Sequence, residues 1–187
     1  MTSPTVLWTP NKIVDGTYAK LARRIIAASE PIYLVCFGYG GDAAEAAGVV
    51  SAVLGHGNVT GVLVGECSSA HAYIFAACQR RYAYPQSKIA IHPIRINLNG
   101  LFTAAELHRY FENIEKMDAD VINLLARSSN MSVKLWSELY YSSPEVYTEI
   151  WEQDLYQFGL AAPVTDEVKR AISQFFAERK TKKPDGG

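Results

Sequence analysis

A short unbroken apolar run, Ile32-Tyr33-Leu34-Val35-Cys36-Phe37, constrains this chain most, and a second strand is predicted at Thr60-Gly61-Val62-Leu63-Val64. The run 32–37 has no polar face to offer solvent, so it reads as a strand covered on both sides. A third strand is predicted at Lys88-Ile89-Ala90-Ile91-His92. The segments between them carry helical spacing. Leu21, Ala22, Ile25 and Ile26 line one face of a helix over 17–29, and the Ala/Val-rich stretch 43–54 reads as a helix against the sheet. Residues 70–78 are nearly uncharged, too apolar for a surface helix and therefore central. Arg80-Arg81-Tyr82-Ala83-Tyr84-Pro85 reads as an edge and turn, and residues 93–100 as a loop. A long helix over 103–127 opens on a capping box, Thr103 with Glu106, which satisfies two orphan amides. Further helices are predicted around 132–140, 149–158 and 165–178. Strands alternating with helices predict an α/β fold with a mainly parallel sheet and right-handed crossovers.

The chain has 187 residues, a length at which one domain buries about 70% of the surface its unfolded chain exposes, so no disulfide or metal is needed for a core. One domain over 1–187 is expected, with 1–15 a short N-terminal segment and 179–187 a flexible basic tail. With 18 Lys+Arg against 19 Asp+Glu the chain has no general attraction for a phosphate backbone or anionic membrane, so nucleic-acid and membrane partners are not expected. The odd cysteine count, Cys36, Cys67 and Cys78 with no C-x-x-C pair, predicts buried reduced thiols and a cytoplasmic location. No basic leader or apolar stretch of spanning length occurs.

Chemistry concentrates at three strand ends. The turn Gly38-Tyr39-Gly40-Gly41 lies between a buried strand and a helix, where unpaired amides receive negative charge. Gly38, Gly40 and Ala43 match G-x-G-x-x-A of a dinucleotide fingerprint, but Asn58 and Val59 stand where that site needs an acid. An oxyanion hole is the competing reading, and a turn with no ligand is the third. Ser68-Ser69 opens the apolar helix after the next strand, as an N-cap or as a nucleophile. His92 ends a strand before Pro93, as a buried structural histidine or as a base. Taken together, the three features supply donors, nucleophile and general base for acyl transfer.

Order and local sequence resemble the Clp protease proteolytic subunit family, whose ClpP/crotonase-like fold stacks βαβ units around a mainly parallel sheet with a protruding handle helix. The family's Asn-Ser-Pro-Gly-Gly turn is matched in its glycines alone by Phe37-Gly38-Tyr39-Gly40-Gly41. Its nucleophile segment, Gly-x-Ala-x-Ser-x-Gly-Ala, is similar to Gly65-Glu66-Cys67-Ser68-Ser69-Ala70-His71-Ala72. Its stretch ending Ile-His-Gln-Pro is similar to Pro85-Gln86-Ser87-Lys88-Ile89-Ala90-Ile91-His92-Pro93, and Tyr156-Gln157-Phe158-Gly159-Leu160 resembles its closing element. The resemblance spans about residues 16–164. It implies a serine endopeptidase with Ser69 as nucleophile, His92 as base, the amides of Gly41 and Ala70 as oxyanion hole, and no cofactor or metal. It also implies a peptide or unfolded-protein substrate and a homo-oligomeric ring, a heptamer or two stacked heptamers. The long helix is the implied ring-pairing element through a stripe of Leu107, Tyr110, Phe111, Ile114, Met117, Val121, Leu124 and Leu125; covering the chain's own sheet is the alternative use of that stripe.

Departures from the family pattern are specific. Counting back from Gly159-Leu160 the family's catalytic acid lands near Tyr147; counting forward from the handle it lands near Ser143, and neither is an acid. Glu145, ahead of Glu149, is the candidate acid to orient His92. His71 replaces the family's Gly two residues after the nucleophile, either crowding the substrate or packing. The fifteen residues before the first helix leave little for the family's axial loop, so an ATP-driven unfoldase partner is not expected. An inactive pseudopeptidase acting as a ring subunit, and a crotonase-type acyl-thioester enzyme, are the alternative functions.

Overall fold

The computed structural model describes residues 4–11, 16–143 and 146–181. Strand β1 (Thr5–Trp8) is followed by α1 (Thr17–Ala27), β2 (Ile32–Gly38), α2 (Ala43–His56) and β3 (Val59–Ser68). Next come α3 (Ala70–Ala77), β4 (Arg80–Ala83), β5 (Lys88–Ile91) and the long α4 (Ala104–Arg127). The chain closes with α5 (Val133–Tyr141), β6 (Thr148–Trp151), α6 (Glu152–Gln157), β7 (Ala162–Pro163) and α7 (Asp166–Thr181).

One seven-stranded sheet runs β1-β2-β3-β4-β7, all parallel, and β5 also pairs parallel with β3. Strand β3 serves two neighbours in succession: Thr60 to Leu63 face β4, then Glu66, Cys67 and Ser68 face Lys88, Ile89 and Ala90 of β5. The predicted run 60–64 is therefore only the first half of this strand, because β5 offers a partner where β4 leaves. The apolar runs are the buried layer, with Leu34, Val35 and Cys36 of β2 and Val62 and Leu63 of β3 inaccessible to solvent. Every residue of α3 is buried, as its lack of charge predicts. All three cysteines are buried and free.

The N-terminal segment carries β1, whose Val6 and Leu7 are buried beside β2. Three expectations are corrected. Residues 80–83 are interior rather than an edge, since β7 pairs on their far side. The helix expected over 149–158 begins only at Glu152; Thr148–Trp151 is a strand antiparallel to β5, with Ile150 turned into the core. Four residues with one buried side chain are too short to betray this period by themselves. Finally, α7 runs to Thr181 into the expected tail, since no Gly or Pro interrupts it from Asp166 onward.

The capping box forms as read: Thr103 Oγ1 accepts from Glu106 N, and Glu106 returns a bond to the Thr103 amide. Of the apolar stripe on α4, the C-terminal part packs on the core through Leu125, with Ile122 beside it, while Tyr110 and Phe111 near its start are exposed. The stripe thus covers the chain's own core at one end and projects at the other.

Candidate active site

Backbone crowding explains the glycines of the 38–41 turn. Gly38 has φ +120, and a Cβ there would lie 2.5 Å from the Asn11 carbonyl oxygen. Gly40 has φ +86, and a Cβ there would lie 2.7 Å from Ser69 Cβ and 2.9 Å from the Ser68 carbonyl oxygen. Only glycine lets the turn sit flush against the start of α3. Beneath it His71 is fully buried. Its Nδ1 accepts the Gly40 N–H at 2.7 Å, which leaves the ring proton on Nε2, 2.7 Å from the Pro10 carbonyl and 2.9 Å from Tyr18 Oη. Burial lowers the His71 pKa below the ordinary imidazole value, keeping Nδ1 bare. Of the two roles expected for this side chain, packing is the one observed: it pins the glycine turn from below.

Ser69 stands between β3 and α3 at φ 53, ψ −126, one of two non-glycine residues with positive φ among those described. It stands at the N-cap position of α3 but makes no side-chain cap bond. Instead its amide donates to the Ala90 carbonyl of β5 at 2.7 Å, and its Oγ lies 2.9 Å from His92 Nε2. The parallel register that sets Ser68 beside Ala90 carries both chains to this meeting point one or two residues on. His92 Nδ1 lies 2.7 Å from the Pro93 carbonyl oxygen. A carbonyl only accepts, so Nδ1 carries the proton, Nε2 is bare, and the Ser69 hydroxyl donates to it. His92 is 7% exposed. Burial pulls its pKa below the ordinary value; the Pro93 bond opposes this, the Arg95 charge adds to it, and Asp118 opposes it. The ring is neutral at pH 7, the form that takes a proton.

Ala70 is the first residue of α3, so its N–H has no intrahelical acceptor, and Gly41 directly precedes Asp42, the N-cap of α2. The packing of Gly40 against Ser69 and Ala70 brings these two helix starts together.

Glu145 lies outside the described residues. Glu149, on β6, is ion-paired with Lys88. Tyr147, at the position reached by counting back to the family's acid, sets its ring edge-to-face on His92, centroids 4.5 Å apart, and the Arg95 guanidinium lies over that phenol ring at 5.7 Å. A buried carboxylate that the sequence reading passed over, Asp118 of α4, accepts the Ile94 N–H at 3.0 Å and the Tyr140 hydroxyl at 2.6 Å. Its signal was present: an acid at i+4 from Ile114 and i−4 from Ile122, on the apolar face of the helix. Among the described residues no cluster of three or more His, Cys, Asp or Glu is placed to hold a metal ion, and no helix is long and apolar enough to cross a membrane.

Stacked βαβ units, a mainly parallel sheet and a long projecting helix define the crotonase-like class of α/β fold. The sequence matches the family model for Clp protease over residues 10–168, and the chain belongs to the Clp protease family. Comparison with curated proteins gives no match.

Proposed function

We propose that the chain is a serine endopeptidase that cleaves peptides or unfolded polypeptide through an acyl-enzyme, with Ser69 and His92 as its working pair. The observation that carries this reading is the 2.9 Å bond from Ser69 Oγ to an Nε2 left bare because Nδ1 is engaged by Pro93. Ser69 Oγ attacks the scissile carbonyl carbon while its proton passes to His92 Nε2, and the carbonyl π pair moves onto oxygen. The Gly41 and Ala70 amides receive that oxyanion. As the C–N bond breaks, its electron pair stays with nitrogen, which takes the proton from Nε2 and leaves as an amine. Water then attacks the ester, its proton goes to Nε2, and Ser69 regains a proton as the acid departs. No step requires a cofactor or metal. An apolar groove whose lining includes Ala43, two residues after Gly41, and Ile94, two residues after His92, together with Ala47, Val50, Tyr73 and Val121, suits an apolar substrate side chain.

The exposed start of α4, with Tyr110, Phe111 and the fully exposed Leu101 before it, supports assembly of a homo-oligomeric ring. A pseudopeptidase reading draws on one observation: Nδ1 is held by a backbone carbonyl, where a triad has a carboxylate.

Labelling with a fluorophosphonate, followed by intact and native mass, tests the proposal on wild type, Ser69→Ala and His92→Ala. Labelling of wild type alone is expected. An unlabelled wild type that still assembles refutes the peptidase and establishes the pseudopeptidase.

A further inference from the structure

The hydrogen bond that holds His92 Nδ1 does not end at Pro93. A peptide unit is planar and trans, so the Pro93 C=O and the Ile94 N–H are opposite ends of one rigid group pointing in opposite directions. The C=O accepts from His92 Nδ1 at 2.7 Å, and the N–H donates to Asp118 Oδ1 at 3.0 Å. We propose that Asp118 is the acid of this site acting one peptide unit removed: a positioning residue that orients and polarises the 93–94 peptide so that its carbonyl holds the His92 tautomer and stabilises the imidazolium. The proposal rests on the peptidase reading above.

Three observations support the relay. Asp118 is 5% exposed on an otherwise apolar face of α4, a costly place for a carboxylate unless its bonds are made. Those bonds all converge on it from the element behind and the loop in front: the Tyr140 hydroxyl at 2.6 Å, the Tyr141 hydroxyl at 3.4 Å and the Ile94 amide. The preceding carbonyl, that of His92 itself, is held by the Tyr73 hydroxyl at 3.1 Å, so the backbone is anchored on both sides of Pro93. Neighbouring hydrogen bonds in a chain strengthen one another in a low-dielectric interior, so a carboxylate pulling on the N–H makes the C=O a better acceptor. The polar and charged groups around His92 are the Ser69 hydroxyl on its ring, the Tyr73 hydroxyl on its main-chain carbonyl, the Tyr147 phenol, Arg95 and Asp118, and among them Asp118 is the carboxylate. No proton needs to reach Asp118; the imidazolium keeps its Nδ1–H throughout.

Two variants separate charge from geometry. Asp118→Asn keeps an acceptor for Ile94 and Tyr140 but loses the charge, whereas Asp118→Leu loses both. The first readout is the 15N spectrum of histidine-labelled protein by magic-angle spinning, assigned by single His→Gln variants and independent of any turnover. Wild type and Asp118→Asn are expected to show His92 protonated at Nδ1 with bare Nε2, and Asp118→Leu a mixture of tautomers. The second is the pH profile of fluorophosphonate labelling. Its acid limb, set by His92, moves to lower pH in Asp118→Asn because the charge favouring the imidazolium is gone. The plateau rate falls about 10²-fold in Asp118→Leu, the scale set by loss of alignment around a reacting group, and most of it is restored in Asp118→Asn. An Asp118→Asn protein with an unmoved acid limb overturns the relay, as does an Asp118→Leu protein that melts lower but keeps one tautomer. Should Asp118→Leu fail to fold, the limb of Asp118→Asn decides. If wild type is not labelled, the peptidase reading fails, and the limb is replaced by the His92 pKa read from the same 15N signals, on which the relay still stands or falls.

Discussion

Replacing Gly40 by alanine isolates the contact that holds the glycine turn against the candidate nucleophile. An alanine Cβ would lie 2.7 Å from Ser69 Cβ, 2.9 Å from the Ser68 carbonyl oxygen and 3.2 Å from the Ala70 amide, at φ +86. A left-handed backbone costs an L-residue about 1–2 kcal/mol, and the overlap adds about 1–3 kcal/mol because backbone atoms of a buried strand end cannot move aside as a side-chain tip would. The sum, about 3 kcal/mol, lowers the melting temperature of a chain this size by roughly 6–12 °C. Displacement of the turn also moves the Gly41 amide, so under the proposed mechanism fluorophosphonate labelling is expected to slow by about 10²-fold, the effect of losing one oxyanion donor. Gly48, in mid-α2 with nothing within 4 Å of an added Cβ, is the control. Gly48→Ala is expected to gain about 0.5–1 kcal/mol from helix propensity and leave labelling alone. Calorimetry and labelling kinetics on the two variants read both effects. A Gly40→Ala protein melting within 2 °C of wild type and labelled at its rate would refute the reasoning.

Further outcomes follow from the same geometry. Ser69→Gly removes the hydroxyl but relieves φ 53 at a non-glycine residue, so labelling is lost while the melting temperature rises by roughly 2–4 °C, corresponding to about 1 kcal/mol. His71 and His92 are both held below the ordinary imidazole pKa by burial, so the unfolded chain binds protons more readily than the folded one. Their stability contribution is complete above about pH 6.5 and is lost as pH falls from there through the folded values, so melting is expected lower at pH 5 than at pH 7.5, and a flat curve refutes the assignment. Protonating His71 would set an N–H against the Gly40 amide, which adds to the loss. Tyr147→Asp places a carboxylate where the phenol ring meets His92 and is expected to move the acid limb of labelling up by about one pH unit, read from the pH–rate profile.

Much of this arrangement was legible in order along the chain. The residues of β2, α3 and the capped start of α4 declare themselves by unbroken apolarity or by Thr103 with Glu106, because those signals are local and saturate within one or two turns. Ser69 and His92 stood out because each occupies a strand end, where an α/β sheet collects its polar groups. Strand β6 did not, since four residues with one buried side chain acquire their identity from β5 beside them. The acid did not either, because a search along the chain looks for a carboxylate at a family position, where Tyr147 stands.

The periodicities, the odd cysteine count, the glycines at 38 and 40 and the order of Ser69 and His92 along the chain are properties of a residue and its near neighbours, and were readable before any folding. Only in the folded chain does the Ser69 hydroxyl turn to His92 instead of capping α3, His71 support the glycine turn, and Asp118 meet the His92 loop through a peptide bond. The first depends on the register of β3 against β5, the second on the packing of α1 and the 38–41 turn against α3, and the third on the packing of α4 and α5 behind the 93–94 loop; the hydrogen bonds join groups 23 to 53 residues apart and have no signature in either stretch of chain.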